Sequence, residues 1–271
     1  MIPRAHIAAW REHAPWPADA QVEQDLVLSR ALVELFSSSA VADAVAFRGG
    51  TALHKLFLAS HSRYSEDIDL VQVSAGNIGP VLDAIRATLD PWLRKPKTAT
   101  AVDGASLVYR FETTSLPVQQ MRLKIEMNTR EHFTVVGYRY HAFEVANPWF
   151  SGRTELRTYE LEELLGTKLR ALYQRKKGRD LYDLWLALQG HDVKDDRVIE
   201  CFERYMQASK AAVSRAQFEK NLAAKVKSPA FSEDMKPLVR DHTAYDPTEA
   251  AALVSMRLVS KLKGKPWKGK G

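Results

Sequence analysis

One cysteine, Cys201, is all that this 271-residue chain contains. That excludes an intrachain disulfide and a multi-cysteine zinc site, and makes a reducing cytoplasm the expected compartment. Uncharged apolar runs of membrane-spanning length are missing as well, so no membrane partner is expected. The N-terminal stretch to Pro17 has one apolar cluster, broken by Arg4, Arg11, Glu12 and prolines, and lacks the continuous apolar core of a signal peptide. The histidines do not gather with carboxylates at metal-ligand spacing, so His54, His61, His132 and His141 read as ordinary surface or core residues. Neither a Walker phosphate loop nor a serine-hydrolase elbow is visible. Internal repeats and long low-complexity tracts are also lacking.

What is present is a chain with 45% hydrophobic residues, enough to bury a proper core in one large domain or two ordinary ones. Its formal charge of +6 favours polyanionic partners without requiring them. The basic, glycine-rich tail from Lys261 to Gly271 reads as a frayed terminus rather than a nucleic-acid arm.

Apolar spacing predicts a helix over Val22 to Phe36, a short strand over Ala44 to Phe47, and a second helix restarting after Gly49-Gly50. A strand over Ile68 to Val73 and a helix over Asn77 to Trp92 follow. Three further strands are predicted over Ser106 to Thr113, Met121 to Asn128 and Thr134 to Val145. Near Asn147-Pro148 the character changes, and from Glu160 onward the pattern is helical. The fold class expected is α+β: a mixed-sheet domain over residues 1–150 and a helical domain over residues 151–271.

The densest chemistry lies between Phe47 and Leu70. Gly49-Gly50 lets backbone approach a phosphate with no Cβ in the way, at the start of a helix that Thr51 can cap. Lys55, one turn further, either reaches the same anion or is a solvated lysine. Ser65 offers a hydroxyl to phosphate, or closes a turn. On the strand that follows, alternation puts Asp67 and Asp69 on one face and Ile68 and Leu70 on the other. Two adjacent carboxylates repel unless a cation sits between them, which suits metal-dependent nucleotidyl transfer. In Met121 to Asn128 the apolar residues share one face, and Arg122, Lys124, Glu126 and Asn128 share the other. If this strand lies beside the first, Glu126 completes three carboxylates able to hold two Mg²⁺ ions. Its alternative is a pairing with a neighbouring lysine or arginine.

In the helical part, Lys168 falls on the apolar stripe of Leu161, Leu165 and Leu172, where a lysine needs an anion, and a triphosphate is one. Arg175 lies two turns along the same face. Asp180 and Asp183 stand on one side of the next helix. Arg179 and Asp180 also fit an interhelical salt-bridge network, and Asp183 either orients Lys168 or contacts the nucleotide.

Taken in order, Gly49-Gly50-Thr51-x-Leu53-x-Lys55, Ser65-Glu66-Asp67-Ile68-Asp69 and Lys168…Arg175…Arg179-Asp180-x-x-Asp183-Leu184 resemble the AbiEii family of nucleotidyltransferase-like toxins, which includes the MenT toxins. The resemblance runs through roughly residues 45–190. It implies a polymerase-β-like nucleotidyltransferase fold with a C-terminal helical domain, encoded beside an antitoxin in a type IV-like abortive-infection or toxin–antitoxin pair. It further implies an Mg²⁺-dependent transfer of nucleotides, often pyrimidines, from a nucleoside triphosphate to the 3′ end of tRNA, which blocks aminoacylation and arrests growth. By position, Asp67 and Asp69 take the metal-ligand role, Ser65, Gly49 and Gly50 the phosphate-cradling role, and Lys168 with Asp183 the nucleotide contacts of the helical domain. Glu126 departs from the aspartate common at the third carboxylate position. The rival expectations are transfer to a small molecule or protein, and a non-catalytic protein that only binds the triphosphate.

Overall fold

The computed structural model describes residues 2–58, 62–102, 104–235, 237–239 and 245–269, so His61 and the last two residues of the basic tail lie outside the described residues. The chain divides into two compact units, one of Met1–Thr134 with Tyr138–Tyr159, the other of Val135–Gly137 with Glu160–Gly271.

The first unit opens with helices α1 (Arg4–Trp10), α2 (Asp19–Ser37) and α3 (Ser39–Ala42), then strand β1 (Val45–Arg48), helix α4 (Gly49–Leu56), strand β2 (Asp67–Gln72) and helix α5 (Gly79–Leu93). Five strands complete it: β3 (Lys97–Ala101), β4 (Gly104–Glu112), β5 (Gln120–Asn128), β6 (Tyr138–Asn147) and β7 (Phe150–Tyr159). They form a mixed sheet in the order β3-β4-β5-β2-β1-β7-β6. β2 runs antiparallel to β1 and parallel to β5, while β1 and β7 pair in parallel. The fold is therefore the mixed α+β architecture the sequence pattern implies.

α2 packs on β5, β6 and β7, and α5 on β4. Val22, Leu26, Leu28, Leu32 and Leu35 on α2 are fully buried, as are Ile68, Leu107 and Leu123 from the strands. Burial of such side chains stabilises by about 1.5–3 kcal/mol each and makes this layer the core of the unit. The alternating residues Ile68 and Leu70 anchor β2 in that core and leave Asp67 and Asp69 on its other side.

Two strands escaped sequence reading. β3, Lys-Thr-Ala-Thr-Ala, is exposed throughout and carries no apolar alternation, because it is a sheet edge. β7 contains Gly152 and the polar residues Ser151, Arg153, Thr154, Glu155, Arg157 and Thr158, yet it pairs along its whole length with β6. It moves the end of the sheet unit to Tyr159 rather than residue 150. The strand expected from Thr134 begins only at Tyr138. Val135 and Val136 instead donate their amides to the buried Glu163 carboxylate at 2.8 and 2.9 Å, which ties that segment to the helical unit.

The second unit contains α6 (Leu161–Gln174), α7 (Gly178–Gly190), α8 (Asp195–Ala208), α9 (Arg215–Val226), α10 (Pro229–Glu233), α11 (Pro247–Arg257) and a short 3-10 turn over Val259–Lys261. α6 packs against α8 and α7. The α6–α8 approach depends on Gly166, where a Cβ would stand 2.6 Å from the Cβ of Cys201. The carbonyls of Leu172 and Tyr173 at the end of α6 accept hydrogen bonds from the buried Lys225 Nζ, a cation at the negative end of the helix dipole. Among the described residues no helix is long and apolar enough to cross a membrane.

Candidate active site

The site is built where β1 ends, α4 begins and β2 starts. Gly49 has φ +82, a conformation that glycine adopts without strain, and a Cβ there would lie 1.9 Å from Asp69 Oδ2. The backbone turn thus presses directly against the carboxylate, which only glycine permits. At Gly50 a Cβ would stand 2.5 Å from a guanidinium nitrogen of Arg63 and 3.5 Å from Ser65 Oγ. Thr51 does not cap α4, because the helix starts two residues earlier. Its buried hydroxyl lies 2.7 Å from Ser65 Oγ and donates to the Asp67 carbonyl at 2.5 Å, clamping the helix start to the head of β2. The first amides of α4 have no partner within their own helix, and a helix N-terminus favours an anion.

β2 and β5 pair in parallel with Asp69 opposite Glu126 and Asp67 opposite Lys124, so the adjacency expected of the two acidic strands is present. The carboxylates themselves do not converge. Glu126 is drawn onto Lys124 at 2.6 Å, the neighbouring-cation alternative, since the two side chains share a face two residues apart. Among the described residues, no three histidine, cysteine or acidic side chains are grouped to hold a metal ion. Glu126 thus lies opposite Asp69 in register while its carboxylate is paired with Lys124.

Of the two aspartates on β2, Asp67 is electrostatically incomplete. Asp67 Oδ1 is buried and accepts no hydrogen bond from the described residues. Burial, with the charges of Asp69, Glu66 and Glu126 added and only Lys124 opposing, pushes the Asp67 carboxyl up to about 6. A buried carboxylate oxygen without a donor costs free energy, and a hard divalent cation supplies what is missing. Asp67 and Asp69 therefore fit such an ion.

A cavity of about 380 Å³ adjoins Asp69 and Glu126 and is lined also by Arg48, Ser106 and Asn128. Arg48 reaches Glu131 at 2.5 Å, and Asn128 Oδ1 accepts the amide of Glu131 at 3.0 Å. These residues were not singled out from the sequence. Arg48 had a local signal, an arginine immediately before the glycine turn. Glu131 had none, because its contact depends on β5 lying two strands away from β1. Arg63 was within the motif run without a role, and it proves to be 3% exposed with its guanidinium beneath Gly50.

Two other expected contacts lie elsewhere. Lys55 points away from the glycine turn to α2, with Nζ 3.0 Å from Asp25 Oδ2 and 3.0 Å from Ser29 Oγ. In the helical unit, Lys168 Nζ is 2.8 Å from Asp183 and 3.3 Å from Asp180, both aspartates being fully buried. Arg175 makes a two-pronged contact with Asp180, at 2.7 Å from both Nε and Nη2. Burial works to raise the Asp180 carboxyl, yet Lys168 and Arg175 outweigh it and hold it below the usual range. Two cations and two anions close this cluster on themselves. The anion that Lys168 needs is thus supplied within its own unit.

A glycine turn opening a helix against a strand with two carboxylates on one face, within a mixed sheet, is the arrangement of a nucleotidyltransferase domain. Residues 30–254 match the family described as nucleotidyl transferase AbiEii toxin of type IV toxin–antitoxin systems, and the chain belongs to that family. The family implies a nucleoside triphosphate substrate and an antitoxin partner. In fold the chain is similar to MenT4, a nucleotidyltransferase toxin from Mycobacterium tuberculosis H37Rv, with a TM-score of 0.69, 18% identity, and coverage of 97% of this chain and 91% of that one. It is also similar to JHP933 from Helicobacter pylori, with a TM-score of 0.52, 16% identity, and coverage of 89% and 90%. No curated protein sequence matches it.

Proposed function

We propose that this chain is a divalent-metal-dependent toxin that transfers a nucleoside monophosphate, from a pyrimidine triphosphate, to the 3′ hydroxyl of tRNA in the cytoplasm, so that the tRNA no longer accepts its amino acid. The observation that carries the chemistry is the buried Asp67 Oδ1, which has no donor among the described residues, beside Asp69, pressed against the Gly49 turn. The RNA acceptor and the pyrimidine rest on the resemblance to AbiEii-type toxins and on the chain's +6 charge.

In this reading the α4 amides and Ser65 bind the triphosphate oxygens, and the Gly49 and Gly50 backbone lets them approach closely. Asp67 and Asp69 would hold Mg²⁺, with Glu126 joining them on release from Lys124. When bound, the ion neutralises charge on the triphosphate and lowers the barrier to displacement of pyrophosphate. Arg63, beneath Gly50, keeps the turn in place. Asp69 accepts the proton of the attacking hydroxyl or orients it. Lys168, Arg175, Asp180 and Asp183 act as a preset charged cluster, with Lys168 and Asp183 the candidates for nucleotide contact.

Incubating the purified protein with each of the four α-labelled triphosphates, Mg²⁺ and total RNA is the direct test. Label is expected on tRNA with CTP or UTP. Absence of labelled RNA with all four triphosphates overturns the proposal, and label on a protein or small molecule redirects it to that acceptor.

A further inference from the structure

The strand register brings together a set of cations on the same face as the two aspartates, separate from the glycine turn. On β4 and β5, Arg110 lies directly opposite Arg122. Like charges in a directly opposed pair are destabilising, and an anion bound between them would relieve the repulsion. One register step nearer the site, Lys97 of β3, Val108, Lys124 and Asp67 form a single row across four strands. The next row is Ala99, Ser106, Glu126 and Asp69. Lys97, Arg110 and Arg122 are exposed.

The acids on this face do not cancel the track. Glu126 answers Lys124, Glu66 reaches Arg122 only at 3.7 Å, and Glu112 is held by Gln120 at the far end. Arg122 is four residues, about 13 Å, from Glu126, and Lys97 is three strands, about 14 Å, from Asp67. A patch of that extent ending at two carboxylates matches a chain of phosphates whose terminus reacts there, not a single anion. The positions between the cations are Val108, Ala99 and Ser106, with no aromatic platform, so the contact is with backbone phosphates and not with stacked bases.

We propose that this face of β3, β4 and β5 carries the single-stranded 3′ end of the acceptor RNA, with Lys97, Arg110 and Arg122 holding its phosphates and the strand end directed to Asp67 and Asp69. The inference rests on RNA being the acceptor. It adds that recognition at this surface is through the backbone, independent of base sequence and sensitive to salt.

The test uses the full chain, a purified tRNA pool and a single-stranded RNA oligomer. In the R110E/R122E variant the KM for tRNA should rise on the order of tenfold, and the slope of log affinity for the oligomer against log salt should shrink by about 1.4, two phosphate contacts at roughly 0.7 each. Triphosphate affinity should be retained. R110E alone guards against misfolding: it converts the Arg110–Arg122 repulsion to an attraction, so its thermal midpoint should rise while RNA binding weakens. Wild-type protein that labels RNA, alongside a double variant with the same KM and salt slope, overturns the surface and leaves the RNA reading standing. Wild-type protein that labels no RNA removes both. Variants that label RNA normally but escape inhibition by an acidic partner protein would make this face a protein-docking surface and overturn the proposal.

Discussion

Two aspartate pairs, one in each unit, have opposite surroundings. Asp69 lines a cavity, and Asp67 beside it has one oxygen buried with no donor among the described residues and is pushed up to about 6 by burial and by its acidic neighbours. Asp180 and Asp183 are fully buried, yet Lys168 and Arg175 match them charge for charge, and Asp180 is held low. The difference is one of charge balance. Lys168 and Arg175 compensate the one pair, whereas in the other Asp67 keeps a buried oxygen that no described residue satisfies.

The largest effect should come from breaking the open pair. Asp69→Ala is expected to lower nucleotidyl transfer by at least about 10²–10³-fold, the loss typical of removing one electrostatic group from a transition state, and to abolish toxicity with the circular dichroism spectrum unchanged. A fully toxic Asp69→Ala chain would end the proposed mechanism. Breaking the closed pair should act on folding instead. Asp180→Ala leaves Lys168 and Arg175 without their shared carboxylate, and denaturant titration should show a loss of about 3–5 kcal/mol, as for other broken buried pairs. An undiminished stability with transfer lost would move Asp180 from scaffold to chemistry.

The smallest effect sharpens the contrast. The Asp67 carboxyl goes from an ordinary 3.8 to about 6 on folding, so between those values the folded state binds the extra proton. Its contribution to stability is full below about pH 4 and is lost as pH rises through 6. At pH 8, Asp67→Asn should therefore raise the melting temperature of the metal-free protein by about 2–4 °C, and the gain should vanish at pH 4. Mg²⁺ should raise the melting temperature of the wild-type chain at pH 8 and leave Asp67→Asn unmoved. Equal responses of the two proteins to Mg²⁺ would remove Asp67 from the metal site.

Legibility followed the range of the interaction. The helices α2, α5, α6, α7 and α8 were readable because 3.6-residue spacing is local. β3 and β7 were not, since one is an exposed edge and the other is recognisable only beside β6 and β1. Thr51 was expected as a cap and is a clamp on β2, because its partner Asp67 is sixteen residues away. Lys55 was a candidate for phosphate and belongs to Asp25, thirty residues back on α2.

The sequence alone determined that Asp67 and Asp69 share a face, that Gly49 permits a turn closed to other residues, and that Lys168 lies on a buried stripe, because strand and helix periods are written in adjacent residues. Only the tertiary structure decided that β5 lies beside β2 with Glu126 opposite Asp69, and that Lys168 finds its anions on α7. It alone set Arg110 opposite Arg122. Register and ion pairing depend on which distant segments close the core together, and that choice is made by packing, not by any local pattern.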